Sequence, residues 1–225
     1  EYQVVSIDQS IPLPDYVFYP NSDTDKTAVE WTVDDLNVAE VATTTDANGK
    51  VSGTVKAKAA GVAVVKLQGV GKTEVNAAFR LIVRPTNEPK NCKADATYNS
   101  VSLSWSPVAD ANGYTITRKV EGSDTEQTIA HVDGTDTVSY KDTAAQTGIS
   151  YIYHVYAYTK YTNNGQTDYA NTDAYASVKA TPQLGKAAMT SVTAEGYSSL
   201  TLKWEKVDGA TGYIVYRSTD KSKVD

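Results

Sequence analysis

Apolar and polar residues alternate with a period of two along much of the chain. Val101, Leu103 and Trp105 alternate with Ser100, Ser102 and Ser104, and Leu200, Leu202 and Trp204 alternate with Ser199, Thr201 and Lys203. Alternation of this kind turns one face of a strand to a core and the other to water, as in half-buried antiparallel sheets. Val29, Trp31 and Val33 follow the same rule nearer the start, as do Phe79, Leu81 and Val83. Asp136 to Tyr140, Ile149 to Thr159 and Asp173 to Lys179 read as further strands, set between Gly, Asn, Asp and Pro clusters. Asp46-Ala-Asn-Gly49 is a hairpin-turn signal, and a strand begins after Ala60-Gly61. No window carries a sustained helical stripe, so the pattern predicts an all-β chain of short strands packed as antiparallel sandwiches.

Part of the pattern is repeated. Val101-Ser-Leu-Ser-Trp105 with Asn112-Gly113-Tyr114-Thr-Ile-Thr-Arg118 recurs as Leu200-Thr-Leu-Lys-Trp204 with Thr211-Gly212-Tyr213-Ile-Val-Tyr-Arg217, at a constant step of 99 residues. A constant step means two copies of one unit. Pro85-Thr-Asn-Glu-Pro89 and Thr181-Pro182-Gln-Leu-Gly185 interrupt the strands, because proline removes a backbone donor. The predicted division is residues 1 to 84, 85 to 182 and 183 to 225. The last segment has room for only the first three strands of its unit, which would expose an apolar face and open edges. The expectation is that the chain continues beyond Asp225 or that a partner chain completes this unit.

Composition narrows the functions available. With 21 Lys+Arg against 27 Asp+Glu the net charge is -6, which provides no basic footprint for nucleic acid. The single Cys92 excludes an intrachain disulfide, and one Cys with two distant His cannot build a structural zinc site. No apolar run approaches the roughly 18 residues that span a bilayer, so no membrane insertion is predicted. Glu1 in place of Met reads as a processed form or a piece of a longer chain.

The middle segment resembles a fibronectin type III module of the bacterial kind. The resemblance is carried by Val101-Ser-Leu-Ser-Trp-Ser-Pro107, Gly113-Tyr-Thr-Ile-Thr-Arg118, Ser139-Tyr-Lys-Asp142 and Gly148-Ile-Ser-Tyr151-Ile-Tyr153-His-Val155-Tyr-Ala157. It implies that Trp105 fills the core and that Tyr151 folds back to bond the preceding turn. The last segment is similar to the opening of a second such module. Residues 1 to 84 resemble a bacterial Ig-like module of the group 2 type, through Tyr19-Pro20, Ala28-Val-Glu-Trp31, Val38-Ala-Glu-Val41, Asn48-Gly-Lys-Val51 and Ala60-Gly-Val-Ala-Val64, although Ser52 to Ala59 is longer and richer in Lys. These resemblances imply tandem immunoglobulin-like sandwiches, the last one incomplete, in a non-catalytic extracellular spacer or adhesion protein of a bacterial surface. They equally suit accessory modules of a secreted carbohydrate-active enzyme, or a phage decoration or tail protein.

Candidate chemistry is sparse. No phosphate loop, zinc spacing or nucleophile elbow is present, so no cofactor is predicted. His131 and His154 read as exposed or edge residues, Cys92 as half-buried or at the surface, and Asp23, Asp25, Asp34, Asp35, Asp133 and Asp136 as turn carboxylates more than as calcium ligands. Ten of the 16 tyrosines fall between Tyr98 and Tyr175, and this crowding marks one hairpin as a candidate contact surface. Alternation places His154, Tyr156 and Tyr158 together on an outward face, while Tyr161 and Tyr169 lie on or beside the loop Thr159 to Asp168. Tyrosine suits protein or carbohydrate contact, and it is also simply a good strand former.

Overall fold

The computed structural model describes residues 1–17 and 28–220, so Tyr19-Pro20, Asp23 and Asp25 lie outside the described residues. Among the described residues the first unit has seven strands: β1 (Tyr2–Ser6), β2 (Ser10–Pro12), β3 (Val29–Val33), β4 (Ala39–Thr45), β5 (Val51–Ala57), β6 (Gly61–Gly69) and β7 (Lys72–Arg84). Their sheets run β1-β7-β6-β3 and β2-β5-β4. Alternation decides what is enclosed: Val29 and Trp31 of β3, Val55 of β5, Val65 and Leu67 of β6, and Phe79, Leu81 and Val83 of β7 are buried together. The turn signal at Asp46 operates as expected, its carboxylate accepting the N–H groups of Asn48 (2.8 Å) and Lys50 (2.9 Å) to close the β4–β5 hairpin. One pairing departs from the antiparallel expectation, because β1 lies parallel to β7, with Tyr2 opposite Arg80 and Val5 opposite Val83. The two strands come from opposite ends of the unit, and only a long crossover allows parallel neighbours.

Eight strands follow: β8 (Lys93–Ala96), β9 (Val101–Ser104), β10 (Gly113–Val120), β11 (Gln127–Asp133), β12 (Ser139–Asp142), β13 (Tyr151–Asn163), β14 (Gln166–Asn171) and β15 (Ala176–Ala180). One sheet is β12-β9-β8; the other is β11-β10-β13-β14, with β15 also on β13. The chain crosses between the two sheets at β9–β10, β11–β12 and β12–β13, as in an immunoglobulin-like sandwich. Val101, Leu103, Trp105, Tyr114, Ile116, Tyr153, Val155 and Ala157 fill the space between the sheets. The Trp105 and Tyr114 rings meet edge-to-face at 5.3 Å, a favoured aromatic geometry. Tyr151 behaves as its resemblance implies, its hydroxyl accepting the N–H of Gln146 at 3.2 Å. At the far edge of the core, Asp142 accepts from Arg118 (2.7 Å) and from the Tyr153 hydroxyl (2.8 Å).

Beyond Pro182 only two strands form among the described residues, β16 (Met189–Ala194) and β17 (Leu200–Trp204), paired with each other. The third expected strand, over residues 213–218, makes no ladder.

Candidate contact face and intermodule joint

The outer face of the β11-β10-β13-β14 sheet carries the predicted contact residues, and register sets them in rows. Tyr158 stands opposite Gly113 and Asn171, Tyr156 opposite Thr115, His154 opposite Thr117, and Tyr169 opposite Lys160. Parity therefore places His154, Tyr156 and Tyr158 correctly. It does not foresee what lies over them.

Tyr158 and His154 are buried, which corrects the expectation of an exposed pair. Tyr158 lies flat across Gly113; a Cβ there would come within 2.5 Å of its hydroxyl. That hydroxyl donates to Asp133 Oδ1 at 2.6 Å, and Tyr169 crosses the ring at 4.8 Å. His131 in turn stacks on Tyr169, centroids 3.7 Å apart and planes within 5°. Burial, together with the hydrogen bond to Asp133, raises the Tyr158 phenol well above its usual range. His154 is closed in by Tyr175 at 4.2 Å and by Glu126, whose Oε1 is 2.8 Å from Nδ1. A carboxylate only accepts, so Nδ1 carries the proton. Burial acts to raise the Glu126 carboxyl, but hydrogen bonds from Thr117 and His154 outweigh it and the group is held below its ordinary value. His131 remains exposed, as expected, while partial desolvation lowers its pKa against a smaller opposing pull from Asp133.

What is left accessible on this face is narrower than the expected surface. Tyr156 and Tyr169 are half-buried, Tyr175 is exposed, and Tyr156 touches Tyr175 at 5.0 Å. Tyr175 reaches this position because residues 172–175 bulge out between β14 and β15, anchored by the Thr172 N–H to Ala157 O bond of 2.8 Å.

Tyr161 belongs to a different structure altogether. The expected loop from Thr159 is instead a continuation of β13, turning only at Asn164 (φ 50°) and Gly165 (φ 79°), a two-residue hairpin that needs positive φ at both positions. The extended β13–β14 hairpin passes the end of its own core and rests on the first unit. Tyr161, Ala170 and Ile82 are buried together there, with Val62 packed against them, and Tyr2 meets the Tyr161 ring at 5.5 Å. Thr159 donates to Val83 O at 2.7 Å, Arg80 reaches Thr162 O, and Arg84 reaches both Asn171 O and the Asp173 carboxylate. Tyr161 also donates to Asp168 at 3.0 Å. Pro85 and Pro89 are themselves buried, so the connection is not a free tether. The odd parity of Tyr161, shared with Tyr153, Val155 and Ala157, was the signal in the sequence that it does not face outward with Tyr158.

Three of the turn carboxylates are engaged in backbone and side-chain bonds: Asp34 accepts from Val64 N, Asp35 from Asn37 N, and Asp133 from Tyr158 and Lys160. Among the described residues no three His, Cys, Asp or Glu side chains form a metal-type group. Cys92 is half-buried, and burial raises its thiol pKa, which disfavours the reactive thiolate.

No family model and no curated protein matches the chain. Among solved structures it is similar to an Fn3-like protein from Clostridium thermocellum, at 29% identity over 45% of this chain and 98% of that chain, with a TM-score of 0.31. It is similar also to a redesigned β-sandwich protein, at 18% identity over 43% of this chain and 95% of that one, with a TM-score of 0.33. A run of titin domains shares 17% identity over 76% of this chain and 58% of that chain, with a TM-score of 0.35.

Proposed function

We propose that the chain is a non-catalytic spacer or adhesion protein of a bacterial cell surface, built from an Ig-like group 2 module over residues 1 to 84, a fibronectin type III module over 85 to 182, and the opening of a second one over 183 to 225. The observation that carries this reading is the docked joint. A catalytic protein gains little from a strand of 13 residues that runs past its own core to grip a neighbouring sandwich. A spacer gains direction from it, because a tether of the same length would let the units swing. Both imidazoles serve the sheet itself, His154 through Glu126 and His131 through Tyr169 and Thr115, which accords with a role that involves no proton transfer. The accessible part of the aromatic face, Tyr156, Tyr169 and Tyr175, offers a protein or carbohydrate ligand flat amphipathic contact. Immunogold labelling of intact cells of the source tests the reading. Label standing clear of the envelope supports it; label confined to the cell interior sinks it.

A further inference from the structure

The centre of the middle unit's larger sheet offers a ligand side chains only. β10 is paired by β11 on one side and β13 on the other, and β13 by β10 on one side and by β14 and β15 on the other, so their main-chain groups are taken. A molecule lying on the outer face is held by rings and by donors and acceptors that the fold leaves unused.

A polar row crosses this face between aromatic side chains. Thr115 on β10 stands opposite His131 on β11 and Tyr156 on β13. Its hydroxyl donates across β13 to Asn171 Oδ1 at 2.7 Å. That uses its one proton, so at 3.0 Å from His131 Nδ1 the same oxygen accepts. The imidazole therefore carries its proton on Nδ1 and keeps Nε2 as an unused acceptor, while Asn171 Nδ2 has no acceptor among the described residues. Tyr169, opposite Lys160 and stacked on His131, flanks the row on one side, and Tyr156, touching Tyr175, on the other. Charge stays at the margins and is already engaged there: Asp133 by Lys160, and Glu126 by His154 and Thr117.

We infer that this face binds a neutral polysaccharide, its sugar rings lying on Tyr169 and the Tyr156–Tyr175 pair and its hydroxyls bonding His131 Nε2 and Asn171 Nδ2. A sugar hydroxyl both donates and accepts, so neighbouring hydroxyls suit an acceptor and a donor set in one row. The C–H face of a sugar packs on tyrosine as other apolar surfaces do. An acidic or basic ligand finds no free countercharge, and an extended peptide no main-chain partner. This ligand class deepens the spacer or adhesion reading and rests on it only for display outside the cell. Surface label without polysaccharide binding would sink the site alone, and binding without surface label the localisation alone.

The test is affinity electrophoresis of the full chain through native gels containing β-glucan, xylan, mannan or starch, with polygalacturonate as the charged comparison and immobilised gelatin as the protein one. At least one neutral polymer retards the chain. Tyr175→Ala removes an exposed ring, and Asn171→Asp keeps the acceptor for Thr115 while removing the free donor. Each weakens retardation by about tenfold in variants whose thermal melts confirm folding. Tyr197→Ala, at a fully exposed tyrosine of the last segment, leaves it unchanged. Unretarded passage through all four neutral polymers overturns the inference, as does retardation equal in the parent and both site variants. Retardation by polygalacturonate alone, or Tyr175-dependent capture on gelatin with no neutral polymer bound, overturns it as well.

Discussion

Gly113-Tyr114-Thr-Ile-Thr-Arg118 and Gly212-Tyr213-Ile-Val-Tyr-Arg217 are copies of one stretch with two different fates. The first is a central strand held on both sides by β11 and β13. The second keeps its Trp–Tyr contact and its tyrosine-to-backbone bond, yet has no ladder. Local contacts close over a few residues and cost little chain entropy, so they form in both places. A strand needs a neighbour to satisfy its N–H and C=O groups, and among the described residues β10 has β11 and β13 while residues 213–218 pair with none. Local geometry is thus a property of the copied residues, and strandedness a property of their surroundings.

The sharpest way to break this comparison is to remove the tryptophans in turn. Trp105→Ala costs roughly 3 to 5 kcal/mol in denaturant melts, while Trp204→Ala, at a site 37% exposed, costs under about 1 kcal/mol. Equal costs would mean that the two environments do not differ as described. Asp142→Ala removes a buried carboxylate and leaves half-buried Arg118 without its partner and the Tyr153 hydroxyl without its acceptor, for a loss of about 3 kcal/mol; Arg217→Ala leaves the melt unmoved. The glycines sharpen the contrast at one atom. A Cβ on Gly113 would lie 2.1 Å from Val132 O and 2.5 Å from the Tyr158 hydroxyl, whereas on Gly212 it meets nothing within 4 Å. Gly113→Ala therefore costs about 2 kcal/mol or more and Gly212→Ala close to none, as equilibrium unfolding will read.

The joint is tested by Tyr161→Ala, which empties the contact shared by Tyr2, Ile82 and Ala170. Small-angle scattering then reports a wider spread of dimensions, with a stability loss of about 1 to 2 kcal/mol; an unchanged profile would show that Pro85 to Pro89 alone sets the direction. The smallest effect concerns pH. Desolvation depresses the folded-state pKa of His131 below 6.5, so the unfolded chain takes up this proton first, and stability declines as pH falls below about 6.5 toward the folded value. Glu126 adds to the decline in the same direction only below about 4.5. His131→Gln flattens the upper part of the profile, and a melt that rises on acidification through pH 6 contradicts the assignment.

Much of this architecture is legible from alternation. Leu103, Trp105 and Phe79 point inward where the pattern places them, and the constant step predicts β10 from its copy and the copy from β10. β11 is not legible, because its register shifts opposite Ile116 and Thr117: Ala130 faces Ile116, Thr128 faces Thr117, and Ile129 is the extra residue between them. A bulge spends one residue outside the period of two, so a seven-residue strand loses its signature. The contact face was legible as a set of residues on one side of a strand and illegible as a surface. Tyr158 is hidden by a ring from β14 and one from β11, His154 by a tyrosine on the segment between β14 and β15, and Tyr161 by the neighbouring unit.

The sequence by itself determines the all-β class, the repeat, the burial of Trp31 and Trp105 and the side of each strand that a residue occupies, whereas Trp204, expected in a core by the same pattern, is 37% exposed. These follow from chain geometry, which is local: successive side chains of a strand point to opposite faces whatever surrounds them. Tertiary structure alone decides the parallel pairing of β1, the burial of Tyr158 and His154, the gripping of the first unit by the β13–β14 hairpin, and the missing ladder at residues 213–218. Each of these depends on a residue far away in the chain, and alternation specifies which way a side chain points without specifying what will be there to meet it.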